Sequence, residues 1–194
     1  WKDIKNMKKV VITGITGQDG VFLTNTISKN NNDYIIHGTT RDRNIPEAFF
    51  HKLKSLGTND FSKIKIEKVN LLNKKDVKEY LDYVNPRYIY NLTGPSSVYD
   101  SFKNPEKISQ EITGIFDNLI NSLIDAKNFP NFFQASSSEM FGDNGKGYQD
   151  EYGEFVPNSP YAISKLKVHN KIQNLRKEYD WNFISGIMFN HESE

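Results

Sequence analysis

A short β-branched run, Lys9-Val10-Val11-Ile12-Thr13, leads without interruption into Gly14-Ile15-Thr16-Gly17-Gln18-Asp19-Gly20 and then into a stretch of helical periodicity. Three glycines at a spacing of three across a strand-to-helix turn leave few folds open. Such a turn needs positive φ or a missing Cβ, and the N–H groups opening the next helix have no intrahelical partner. An anion can approach that backbone closely, and the helix dipole favours negative charge there. The pattern predicts a phosphate site around Gly14, Thr16, Gly17, Gln18, Asp19 and Gly20. Its Gly-x-x-Gly-x-x-Gly spacing differs from the Gly-x-Gly-x-x-Gly fingerprint of many dinucleotide sites, so the reading rests on the strand before and the helix after.

The rest of the chain keeps alternating short apolar runs with segments of helical period, the pattern of a parallel sheet covered on both faces. Strands are expected at residues 9–13, 34–40, 64–69, 87–92, 132–136 and 182–188, and helices near 20–29, 75–84, 105–126 and 159–179. Pro105 suits the first position of a helix, and Pro86 and Pro130 suit strand entries. The expected fold is α/β: a doubly wound, Rossmann-like parallel sheet of order 3-2-1-4-5-6, in one dinucleotide-binding domain over residues 1–194. The longest stretch without a period, residues 142–158, follows the fifth strand, where open α/β sheets place ligands, and reads as a functional loop.

Composition narrows the partners. Lys and Arg number 25 against 24 Asp and Glu, a formal charge of +1, so no net basic field is available for nucleic acid or an anionic membrane. Neither is expected as a partner. The absence of cysteine excludes disulfides, thiolate metal sites and a cysteine nucleophile. His37, His51 and His169 lack metal-ligand spacing, and no metal is expected. With no apolar run of membrane length and a polar, lysine-rich start, the chain reads as cytoplasmic.

Two further groups of residues carry chemistry. Arg41 ends the second strand, where NAD sites usually hold an acid for the ribose 2′-hydroxyl; a guanidinium there favours a 2′-phosphate, hence NADP. After the fifth strand come Ser136-Ser137-Ser138-Glu139, and after the loop Ser159-Pro160-Tyr161-Ala162-Ile163-Ser164-Lys165 opens a helix. Tyr161 and Lys165, four apart, share a helix face, so the ammonium would lower the phenol's pKa and make phenolate available as a general base. The Ser137 hydroxyl would hold the same substrate oxygen.

These motifs, with Tyr90-Asn91-Leu92 and Phe189-Asn190-His191-Glu192-Ser193, make the chain resemble the extended short-chain dehydrogenase/reductase superfamily, and within it the GDP-mannose 4,6-dehydratase family. The resemblance implies an internal redox reaction on a nucleotide sugar, GDP-mannose, with bound NADP. Tyr161 would take the C4 hydroxyl proton, Glu139 the C5 proton that it later gives to the departing C6 hydroxyl, and Lys165 would hold the nicotinamide ribose. It carries further cofactor contacts over to Asn70, Leu71, Leu92, Thr93, Gly94, Ser96 and His191, and substrate contacts to Ser96, Ser137, Glu139 and Asn190. Glu139 argues against a sugar-nucleotide 4-epimerase, which needs no base for C5. The chain departs from the family pattern in having Asn70 for Asp, Pro95 for Gln, Ser97 for His, Lys107 for Tyr and Ser137 for Thr. Family members continue into a substrate lobe, so this chain is expected to be their N-terminal part. They also pair as homodimers or homotetramers through helices such as those at 105–126 and 159–179. The alternatives are another nucleotide-sugar 4,6-dehydratase or a 4-epimerase, and a non-catalytic dinucleotide-binding module.

Overall fold

The computed structural model describes residues 7–30, 33–41, 47–95, 97–143 and 147–192. Six strands, β1 (Lys8–Thr13), β2 (Tyr34–Thr40), β3 (Ile64–Lys68), β4 (Tyr88–Asn91), β5 (Asn131–Ala135) and β6 (Phe183–Gly186), form one sheet in the order β3-β2-β1-β4-β5-β6. Every pairing is parallel. Each connection must therefore cross the sheet, and helices supply the crossovers. The strand order reverses between β1 and β4, which opens a crevice at their C-terminal ends.

The helices are α1 (Gln18–Asn30), α2 (Glu47–Ser55), α3 (Lys74–Val84), α4 (Val98–Lys103), α5 (Pro105–Ser109), α6 (Ile115–Asp125) and α7 (Pro160–Tyr179). Local chemistry fixes their ends. The Asn73 side chain caps α3 by accepting from the N–H groups of Lys75 and Asp76, and Asn85 closes that helix in the left-handed conformation. Ser159 caps α7 through the Ala162 N–H, with Pro160 at its first position.

Alternate residues of the strands feed two cores. Val10, Ile12 and Ile36 pack with Val21, Phe49 and Leu53 of α1 and α2 on one face. Val11, Ile89, Phe132 and Phe183 pack on the other against α3, α6 and α7, with Phe116 and Leu119 fully buried. Both faces are thus covered, as the near-continuous apolar strands require.

The structure departs from the sequence reading in three places. Helix α1 starts at Gln18 rather than Gly20, α2 and α4 were not anticipated, and the helical run from Pro105 holds a wide π-turn at Gln110–Gly114 between α5 and α6. Apolar spacing continues through that turn at Ile108, Ile112 and Ile115, so periodicity alone could not reveal it. Among the described residues, no helix is long and apolar enough to cross a membrane.

One buried titratable group in the sheet makes stability pH dependent. His37 of β2 is 2% exposed, both ring nitrogens lack a hydrogen-bond partner, and Glu67 of β3 lies 3.6 Å from Nδ1. Burial, helped by the charges of Lys65 and Lys9, pushes its pKa down to about 4. The unfolded chain, with the ordinary histidine value near 6.5, takes up this proton before the native chain does, so stability falls as pH drops through that window. Unfolding by urea should show the loss of about 2 kcal/mol between neutral pH and about pH 4.5, and His37→Leu should remove most of that acid-side slope.

Candidate active site

The first strand ends on Thr13, buried beneath the crevice, and the chain then turns on Gly14 at φ +68°. A Cβ on Gly14 would lie 3.0 Å from the Thr93 hydroxyl, and one on Gly20 would lie 2.5 Å from the Ile15 carbonyl oxygen. Both glycines are therefore required, the first by conformation and contact, the second by the packing of α1 against its own turn. The Gly17 N–H donates to the Gly14 carbonyl at 3.0 Å and closes the turn.

A cavity of about 700 Å³ opens over this turn and the ends of β1, β2, β3 and β4. Of the residues expected to meet a cofactor, it brings together Gly14, Thr16, Gly17, Arg41, Asn70, Leu71, Leu92, Thr93 and Gly94. Asn70 turns inward on itself, its Oδ1 accepting the Leu72 N–H at 3.2 Å, and Leu71 is buried with its carbonyl held by Asn118. Gly20 lies beneath the turn, outside the cavity wall. The volume, the close backbone approach that Gly14 allows and the free N–H groups opening α1 fit a dinucleotide. Arg41 is already engaged: its Nη2 lies 3.0 Å from Oε2 of Glu111, a residue of the π-turn that lines the same cavity.

A second cavity, of about 430 Å³, shares Leu92, Gly94 and Pro95 with the first and contains Ser137, Glu139, Tyr161, Lys165, Asn190 and His191. The local folding that assembles it is simple. Ser137 caps the short 3₁₀ turn Ser138–Phe141, its hydroxyl accepting the Glu139 N–H at 3.2 Å, so the carboxylate is fixed two residues from the hydroxyl. The N–H of Ser138 pairs with the Met188 carbonyl at 2.9 Å, extending the β5–β6 ladder and carrying 188–192 to the cavity. Tyr161 and Lys165 enter from the first turns of α7, both at 7% exposure.

The electrostatics correct one expectation. The Lys165 Nζ donates to the Ala135 carbonyl at 2.9 Å and lies 5.6 Å from the centroid of the Tyr161 ring. Burial pushes the Lys165 pKa down to about 8. The Tyr161 phenol is raised rather than lowered, by burial and by the Glu139 charge, while its hydrogen bond with Ser137 pulls the other way. The ammonium thus anchors to the sheet, and Ser137 is the side chain that favours phenolate.

Asp19 and His191 meet directly, Nε2 to Oδ1 at 2.8 Å, while Nδ1 of His191 bonds the Phe189 carbonyl and Gln18 Nε2 donates to the His191 carbonyl. The glycine turn and the segment after β6 are therefore clasped to each other. The Phe189 carbonyl first, and then the pairing with Asp19, raise the His191 pKa. Asn190 is exposed at the mouth. Ser96 lies outside the described residues. Among the described residues, no cluster of three or more His, Asp or Glu could hold a metal ion.

Sequence reasoning missed a buried polar chain beneath both cavities. The Thr13 hydroxyl donates to Asn91 Oδ1 at 2.5 Å, Asn91 Nδ2 to Gln134 Oε1 at 2.7 Å, and Gln134 Nε2 to the Ala135 carbonyl at 3.0 Å, the oxygen that also holds Lys165. Its signal was present: a polar residue in place of an apolar one near the end of each of three consecutive sheet neighbours. Glu111 was also missed, since nothing in a helical pattern marks a carboxylate that turns towards a strand end 70 residues away.

Comparison with known proteins agrees with this fold. Among solved structures, the UDP-Glc/GlcNAc 4-epimerase of Campylobacter jejuni superposes with a TM-score of 0.79 at 20% identity, covering 94% of this chain and 53% of that one. The UDP-glucose 4-epimerase of Brucella ovis, solved in complex with NAD, gives 0.77 at 16% identity, covering 94% of this chain and 52% of that one. At such identities the likeness establishes the Rossmann-like fold. GDP-mannose 4,6 dehydratase of Dictyostelium discoideum is 35% identical over 96% of this chain and 53% of its own length. GDP-mannose 4,6 dehydratase 2 of Arabidopsis thaliana is 32% identical over 98% of this chain and 52% of its own. The chain thus spans about half the length of these relatives. The family model described as GDP-mannose 4,6 dehydratase matches residues 11–194. With the match running from the first strand through the clasped segment after β6, the chain belongs to the GDP-mannose 4,6 dehydratase family.

Proposed function

We propose that the protein carrying this chain is an NADP-dependent GDP-mannose 4,6-dehydratase, a hydro-lyase forming GDP-4-keto-6-deoxymannose, and that residues 1–194 are its dinucleotide-binding domain. The observation that carries the proposal is the convergence of Ser137, Glu139, Tyr161 and Lys165 on one cavity that adjoins the glycine turn. A carboxylate in that group separates dehydration from plain epimerisation, which has no proton to move at C5.

The oxidised dinucleotide, when bound, supplies a hydride acceptor that returns the hydride within the same turnover, and its positive charge favours the phenolate. The residues supply the proton transfers. Tyr161 receives the proton of the C4 hydroxyl as that carbon is oxidised, and the Ser137 hydroxyl, already bonded to the phenol, steadies the sugar oxygen. The carbonyl formed at C4 acidifies the C5 hydrogen. Glu139 removes it as a proton and passes it to the C6 hydroxyl, which leaves as water; the alkene left behind would take the hydride back at C6 and a proton at C5, balancing the proton that Tyr161 had taken. Lys165, held by the Ala135 carbonyl beside the tyrosine, orients the ribose and keeps a positive charge near the reacting oxygen. Asn190 contacts the sugar, and His191 and Asp19 close over the cofactor as a pair. Arg41 supports NADP over NAD. The helices α6 and α7, tied to each other by Lys171 and Asp117 at 2.5 Å, offer the surface on which copies of the protein pair as a homodimer or homotetramer.

The full-length protein, supplied with NADP+ and GDP-mannose, should form the 4-keto-6-deoxy sugar; cofactor binding without any product would instead support a non-catalytic module. Glu139→Gln should lower turnover at least about 100-fold and abolish deuterium uptake at C5 from heavy water, and intact C5 exchange would remove Glu139 from its role. Tyr161→Phe should lower kcat by about 100-fold or more with cofactor affinity changed less than about threefold, measured by single-turnover kinetics and titration.

A further inference from the structure

Dinucleotide sites read the ribose 2′ position at the end of the second strand, with an acid for a hydroxyl or an arginine for a phosphate. This protein places both at one spot. Arg41 comes from the end of β2, Glu111 from the π-turn, and they meet at 3.0 Å in the wall of the larger cavity. The two partners are unequal: the Arg41 side chain is 64% exposed, the Glu111 side chain 13%. The guanidinium is therefore free to swing and is screened by water, whereas the carboxylate is sheltered and held by its helix. A wide turn within a helix often marks a functional position, and here it carries the carboxylate. The other charged side chains that line this cavity, Asp100 and Lys107, are of opposite sign.

A fixed carboxylate accepts hydrogen bonds from a vicinal diol and repels a phosphate dianion, while the arginine it holds must divide its donors and charge between the carboxylate and that phosphate. We propose that Glu111 is a specificity-determining residue that tempers the preference set by Arg41, so that the protein binds both NADP and NAD. The inference rests on the dinucleotide reading of the cavity.

The test is calorimetric titration of the full-length protein with NADP+ and, separately, NAD+. Wild type should bind both within about tenfold of each other. Glu111→Gln should raise the NADP+ to NAD+ affinity ratio about tenfold, by tightening the first and weakening the second. Arg41→Gln, at an exposed side chain with little influence on folding, should lower the ratio, and adding Glu111→Gln to it should move the ratio less than in wild type. If both dinucleotides bind and Glu111→Gln leaves the ratio within twofold of wild type, Glu111 has no such role and the dinucleotide reading stands. Failure of wild type to bind either dinucleotide overturns both.

Discussion

The buried run of hydrogen bonds from Thr13 through Asn91 and Gln134 to the Ala135 carbonyl, with Lys165 on its far end, is the constraint on which the site depends. A parallel sheet buried on both faces has no use for polar side chains at its centre unless each finds a partner. Here every member does: two of the bonds join neighbouring strands, one turns along β5, and the last ties that strand to the helix above it. The chain therefore fixes the relative height of the β1, β4 and β5 ends, the level at which one cavity meets the other. Lys165 is costly to bury as an ammonium, which is why its pKa falls, and its bond to a carbonyl at the end of this chain offsets part of that cost.

The fold was legible because its signals are local. Strand runs, the prolines at strand and helix entries, and the glycine turn each state their structure within a few residues, and right-handed crossovers then leave few strand orders. Helix α2 escaped because much of it lies on exposed, charged residues, with Phe49 and Leu53 alone buried, so its periodic signal is thin. The π-turn escaped because it preserves the apolar spacing on both sides.

The candidate site was legible at the level of which residues gather and less so at the level of which atoms touch. The placement of Tyr161, Lys165, Ser137 and Glu139 in one cavity follows from strand order and a four-residue helical spacing. That same spacing suggested an ammonium directed at the phenol, yet an oxygen from the neighbouring strand end competes for it and wins. A similar rivalry governs Arg41, whose partner lies far along the chain, and Asp19, whose carboxylate faces His191 across 172 positions. Sequence spacing reports neighbours within an element; partners brought in by tertiary packing are invisible to it.

The cap on the 3₁₀ turn after β5 has an effect on how genetic data from this region can be interpreted. One oxygen atom, Oγ of Ser137, both touches the phenol and anchors the backbone that aims Glu139. On the proposed mechanism its loss is a compound lesion, disturbing the redox half and the elimination half of turnover together. Inactivity caused by a change at this serine would not identify which half had failed, whereas a threonine, keeping the oxygen and adding a methyl, would leave both intact.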